Sequence, residues 1–185
     1  MILKKIGVYK ESFPFDSIPS YPGIINKYLQ DNTDFFPQRN IVRNKDEVWF
    51  GHFNLNEKYD DTITQFKRRF ERLHLNINNK KRILFVYSSE ADIYNEMGNR
   101  YRDNYTDICK IRDMLLNTYS YNNFTILAIH MNKTYTQTDN IYNYTINVPD
   151  VYLSDKMETH TIPVTTEYSY ILECLLRKIF SLAMA

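Results

Sequence analysis

Between Arg82 and Glu90, the residues Ile83-Leu84-Phe85-Val86-Tyr87 run without a polar break. A half-buried strand would alternate apolar and polar residues. An unbroken run reads instead as a strand covered on both faces, the state of a central strand in a parallel sheet. Phe124-Thr125-Ile126-Leu127-Ala128-Ile129-His130 is a second such run. Between the two, Tyr105, Ile108, Cys109, Ile111, Leu115 and Leu116 share one face of a helix predicted over 103–117. Apolar strands joined through a helix predict neighbouring parallel strands with a right-handed crossover. In open α/β sheets, ligands gather at the carboxyl ends of the strands. Ser88 and His130 mark those ends, and both are candidate ligand-facing residues. For His130 the alternative is a ring that only satisfies a backbone group.

The other elements follow from periodicity and punctuation. Residues 1–9 read as the tail of a helix ending near Gly7. Pro14 and Pro19 push Phe13 and Ile18 into extended backbone, and a loop carrying Phe13 and Phe15 is expected to bury them. Pro22 suits the first turn of a short helix over 23–30, with Ile24, Ile25, Tyr28 and Leu29 apolar. Residues 47–54 contain Val48, Trp49, Phe50 and Phe53, which favour a strand, and Gly51 within it predicts a bulge or a close backbone approach.

Asn56 is expected to cap a helix whose stripe is Tyr59, Ile63, Phe66, Phe70 and Leu73. Phe66 and Phe70, at the centre of that stripe, are the predicted core anchors. Lys67, Arg68, Arg69 and Arg72 lie off the stripe and read as a solvated basic face. Residues 91–102 read as a loop. Arg112 falls inside the apolar face of its helix and is expected to snorkel or to pair with a nearby acid. Residues 142–148 alternate and predict a strand nearer the sheet edge, stopped by Pro149. A short extended piece is expected near Thr161. The last helix starts near Thr166, with Tyr168, Ile171, Leu172, Leu175, Ile179 and Leu182 as its buried stripe and Cys174 on the other side. No repeat or linker divides the chain. The fold class is therefore α/β, a single layered domain over 1–185, with a mostly parallel central sheet and helices on both faces.

Composition narrows the function classes. A net charge of +1 creates no field that would draw nucleic acid or an anionic membrane. No apolar run is long enough to cross a bilayer, and the apolar start is too short for a signal-peptide core. The 2 cysteines, Cys109 and Cys174, form no disulfide framework and lack metal-ligand spacing. The expected location is a reducing cytoplasm. The 16 tyrosines against 4 glycines, with abundant Asn, Lys and Ile, fit AT-rich coding. G-x-G-x-x-G, P-loop, H-E-x-x-H, C-x-x-C and G-x-S-x-G patterns are all missing from the sequence. No cofactor and no metal are expected.

Leu3-Lys4-Lys5-Ile6-Gly7-Val8-Tyr9 leads into Phe13-Pro14-Phe15-Asp16-Ser17-Ile18. Further on stand His52-Phe53, then Phe66-Lys67-Arg68-Arg69-Phe70, then Ile83-Leu84-Phe85-Val86. This order of short motifs resembles the papain-like cysteine peptidase family of bacteria and large DNA viruses, and covers roughly Leu3 to Glu90. Ser17 stands where the family commonly has Trp. The resemblance implies a hydrolase acting on a peptide or protein, with a large DNA virus as its source. It also implies a nucleophilic cysteine on the N-terminal side of the first helix, where the helix dipole lowers a thiol pKa. That position lies upstream of Leu3, and neither Cys109 nor Cys174 matches it.

On this resemblance His52 is the candidate general base and Asp16 its orienting group, in a cleft lined by Phe13 and Phe15. The two are expected to come close in space, near the N-terminal end of the first helix. Each has a plain alternative. Asp16 can cap its own loop, and His52 can be a core histidine satisfied beside Gly51. The reading is a peptidase-family domain inactive as the chain stands. The alternatives are a non-catalytic viral or host-interaction domain, or a glycan- or nucleotide-modifying enzyme using Ser88 and His130. The sequence carries no sign of oligomeric state.

Overall fold

The computed structural model describes residues 11–16, 18, 20–88, 104–131, 133–147 and 163–183. The expectations for the first helix, for Ser17 and Pro19, for the 91–102 loop and for the extended piece near Thr161 lie outside them. The elements are α1 (Pro22–Gln30), α2 (Tyr59–Asn78), β1 (Ile83–Ser88), α3 (Asn104–Asn117), β2 (Phe124–Met131), β3 (Ile141–Ile146) and α4 (Pro163–Ala183). This is an α/β fold with a small sheet of 3 strands in the order β1-β2-β3. The described parts of 12–85 and 102–126 form one compact unit, and those of 1–11, 86–101 and 127–185 form another.

β1 and β2 are parallel neighbours. At their amino ends the Ile83 N–H donates to the Asn123 carbonyl at 3.2 Å. Near their carboxyl ends the rings of Tyr87 and His130 lie 6.0 Å apart. The expectation that β1 is the central, doubly covered strand is corrected. Among the described strands β2 is the middle one, and its Ile126, Leu127, Ala128, Ile129 and His130 are all buried. β1 buries only Ile83 fully, and Leu84 is 40% exposed. An unbroken apolar run reports affinity for the interior, but not which strand wins the central place.

In the 12–85/102–126 unit, α1 buries Pro22, Ile24, Tyr28 and Leu29, and it packs against α3. Tyr21, at the start of α1, makes no side-chain cap. The Asp107 carboxylate of α3 stands there instead, so close that a Cβ on Gly23 would lie 2.9 Å from its Oδ2. An anion over a helix amino end is favoured by the helix dipole. Asp107 is itself held by Lys110 Nζ at 2.8 Å. Arg112 pairs with Asp113 at 2.7 Å, as an arginine inside an apolar face was expected to do.

α2 begins after Lys58, and the expected cap at Asn56 is corrected. Asn54 caps the preceding turn: its Oδ1 accepts from the Glu57 N–H at 3.2 Å, and its Nδ2 donates to Glu57 Oε2 at 3.0 Å. The stripe of α2 buries Phe66, Phe70, Leu73 and Ile77, with Thr62, Arg69 and Asn76 beside them. The basic face is only partly solvated. Arg69 is buried with its guanidinium 5.1 Å from the Phe66 ring, and Arg72 donates to the Ser12 carbonyl at 2.8 Å.

Residues 47–54 do not form the expected strand. Phe50 pairs back to Val42 (N–H to O, 2.6 Å) and Asn44 to Val48 (3.2 Å), which makes one short antiparallel ladder. Its aromatic residues are buried by other rings instead of by a sheet. In the second unit, α4 packs Leu172 and Leu176 onto Leu127, Ile129 and Ile146. Ile171, expected in that stripe, faces outward, and Leu176 takes its share of the burial.

One polar network runs from the buried Tyr28 and Asn44 to the surface of the aromatic unit. The Tyr28 hydroxyl donates to Asp46 and accepts from Asn44 Nδ2 at 3.0 Å. Lys27 also binds Asp46. Burial, with the bond and charge of Asp46, pushes the Tyr28 phenol well above its ordinary value. Burial pulls the Asp46 carboxyl up, but bonds from Lys27 and Tyr28 and the charge of Lys45 outweigh it and hold it below the usual range. A carboxyl depressed in the folded state stabilises above its unfolded pKa, and that stability is lost as pH falls through the folded pKa. Asp46→Asn should therefore cost about 1.5–3 kcal/mol at neutral pH, the range for bonds to a charged group. Its deficit against wild type should shrink below about pH 4, near the unfolded aspartate value. Urea denaturation at stepped pH measures this, and a deficit that does not change with pH would place the stabilisation elsewhere.

Candidate functional site

The Phe13–Asp16 loop closes on itself. The Phe13 N–H donates to Asp16 Oδ2 at 2.8 Å, and the Asp16 N–H donates to the Phe13 carbonyl at 3.3 Å. Asp16 is exposed, and this bond is the loop-capping use of an aspartate. Phe15 turns inward, its ring edge-on to Phe35 at 6.1 Å and to Phe70 at 5.7 Å. Phe13 is half-buried. Phe15, together with the bond from Arg72 to Ser12, ties the loop to α2.

His52 lies on the surface, its ring edge-on to Trp49 with centroids 4.7 Å apart. It is not the core histidine that one reading expected. The glycine between them permits this stack. A Cβ on Gly51 would fall 2.1 Å from the Trp49 indole carbons. Gly51 therefore makes room for Trp49, where a close approach of the Asp16 loop was expected. Trp49 is the chain's single tryptophan. Gly51→Ala should push the indole off His52, shift its emission maximum and cost about 1–3 kcal/mol, the range for overpacking. Unchanged fluorescence would mean that the indole does not rest on position 51. Sequence reasoning did not single out Trp49, although an aromatic two residues before a glycine was a visible signal.

No hydrogen bond or ion pair among the described residues joins His52 to Asp16, or His52 to the Cys109 sulfur in the same unit. Cys109 is half-buried in α3. Cys174 is exposed on α4. A cysteine hydrolase needs thiol and imidazole within hydrogen-bond reach. An exposed imidazole alone can carry a proton but cannot form an acyl-enzyme.

The strand ends hold a second cluster. Ser88 ends β1 half-buried, and His130 is buried at 2% exposure. His130 Nε2 lies 2.9 Å from Asn143 Oδ1. Asn143 Nδ2 donates to the Thr136 carbonyl at 2.7 Å, which fixes the amide's orientation. An amide oxygen only accepts, so His130 Nε2 carries the proton and is not available there as a base. Tyr135 covers the ring at 4.6 Å. Asn143 escaped sequence reasoning because its place between two tyrosines signals only an alternating strand.

Among the described residues no group of three or more His, Cys, Asp or Glu could hold a metal ion. No described helix is long and apolar enough to cross a membrane. Comparisons with family models, with curated proteins and with solved structures give no match.

Proposed function

We propose that this chain is a papain-like cysteine peptidase-family domain that does not hydrolyse with its own two thiols and binds a peptide or protein. One observation supports the reading. The motifs Phe13–Asp16, His52-Phe53 and Phe66–Phe70 are far apart in sequence, yet Phe15, Phe53, Phe66 and Phe70 pack into the same aromatic cluster. His52 is exposed beside that cluster with no bonded thiol among the described residues.

A non-catalytic viral or host-interaction domain is the second reading. It is favoured by the exposed Val42, which shares the short ladder of Trp49, and by the exposed Ile41 next to it. Exposed apolar side chains grouped on one ladder are a feature of protein-binding surfaces.

Fluorogenic peptides and a thiol alkylating probe test the proposal. We expect no turnover by wild type or by His52→Ala. Alkylation should be faster at the exposed Cys174 than at the half-buried Cys109, with both rates unchanged in His52→Ala. Peptide turnover that disappears in His52→Ala would overturn the inactive reading and make the chain an enzyme. Loss of peptide binding in Trp49→Ala, with the fold retained, is the expected sign of a binding surface at the ladder.

A further inference from the structure

Among the described strands, β3 stands at an end of the sheet order, with β2 as its neighbour. Such a strand presents unpaired backbone groups along its outer edge and can template another chain. Its sequence Ile141-Tyr142-Asn143-Tyr144-Thr145-Ile146 is uncharged, free of Pro and Gly, and rich in β-branched and aromatic residues. That composition favours cross-β association when the edge is open.

The edge is not open. Gln137 Nε2 donates to the Asn143 carbonyl at 2.8 Å, and the Asn143 N–H donates to Gln137 Oε1 at 2.8 Å. The side-chain amide thus makes both bonds that a partner strand would make at this residue. One pair further along, Thr138 and Ile141 exchange backbone bonds at 3.0 and 3.3 Å. Thr145 Oγ1 donates to the Lys133 carbonyl at 2.8 Å, and Asn143 Nδ2 holds the Thr136 carbonyl. Residues 133–138 are therefore fastened along β3 by bonds at residues 141, 143 and 145.

We propose that residues 133–138 are an edge guard, with Gln137 as its key residue, that keeps a second copy of this chain from adding to β3. A second copy fits because two identical edges can pair about a twofold axis, each supplying what the other lacks. The segment is also close in sequence to the strand it covers, so it competes at high effective concentration against a copy in solution.

The test uses the full chain and Gln137→Ala, with Gln137→Met as the variant that keeps side-chain length and packing while losing both bonds. Amide exchange at Asn143, at low protein concentration, should be roughly tenfold faster in both variants, as expected for an opened hydrogen bond. Light scattering over a concentration series should show their mass rising above the wild-type value. Adding Tyr142→Lys, at an exposed position on the same strand, should return the mass to the wild-type value while Asn143 still exchanges fast. Fast exchange with wild-type mass at every concentration would overturn the proposal. So would association that Tyr142→Lys does not reverse, and so would Asn143 exchange that does not change.

Discussion

Phe35→Ala should destabilise the chain by about 3–5 kcal/mol, the range for removing a buried phenylalanine. Phe35 has no exposed surface, and its ring is the centre of the aromatic cluster. Phe70 lies 4.8 Å from it, Tyr28 5.2 Å, Phe50 5.4 Å, Phe66 5.5 Å, Phe36 5.6 Å and Phe15 6.1 Å. Most of these pairs meet edge to face, an arrangement that adds roughly 0.5–1.5 kcal/mol per pair beyond area burial. The six neighbours cannot collapse into the hole without breaking those contacts. Phe70→Ala should cost a similar amount, about 3–5 kcal/mol. The two losses should not add, because the rings touch. Chemical denaturation of the single and double variants reads this directly. A loss well under 1 kcal/mol for Phe35→Ala would mean that these rings are not a core.

Asn44→Ala should cost about 2–4 kcal/mol, because several buried groups lose their partners together. Asn44 Nδ2 donates to the Phe35 carbonyl at 2.9 Å and to the Tyr28 hydroxyl at 3.0 Å. Its Oδ1 accepts from the Asp46 N–H at 3.0 Å and the Val48 N–H at 2.9 Å. The side chain thus holds the turn over 44–48, in which Glu47 has a φ of 63°. A non-glycine residue in that region keeps its conformation only where neighbours impose it. The same turn leads into the ladder that carries Trp49, so tryptophan emission should change along with stability. Asn44→Asp keeps the acceptor, loses the donor and sets a second carboxylate beside Asp46, so it should not rescue. An Asn44→Ala loss below about 0.5 kcal/mol, the level of an ordinary surface change, would show that the turn holds without its amide.

Local signals carried much of the fold. Pro22 and the spacing of Ile24, Tyr28 and Leu29 marked α1 within a residue or so. Phe66, Phe70 and Leu73 marked the inner face of α2, and all three are buried. The two unbroken runs became β1 and β2, neighbouring and parallel. Phe35 stands in a Phe-Phe-Pro run between helices, and neither periodicity nor propensity marks such a run as core. Its role appears only when α1, α2 and the 13–16 loop converge on it. The strand expected over 47–54 fails for a related reason. Val, Trp and Phe signal a need for burial, and rings from distant segments meet that need without a sheet.

The candidate site divides along the same line. Residue types singled out His52, Asp16, Ser88 and His130 as candidates. Which group each one faces depends on segments far away in sequence or on side-chain packing. Gly51 serves Trp49, the Asp16 carboxylate serves the Phe13 amide, and His130 is held by Asn143. By itself the sequence determined the helix faces, the parallel pair of strands and the α/β class, because periodicity is a local record of which residues avoid water. Only the tertiary structure decided that β2 takes the centre of the sheet, that Phe35 centres the aromatic cluster and that Gln137 closes the edge of β3. Those outcomes depend on which distant surfaces meet, and a hydrophobic pattern states the need for a partner without naming it.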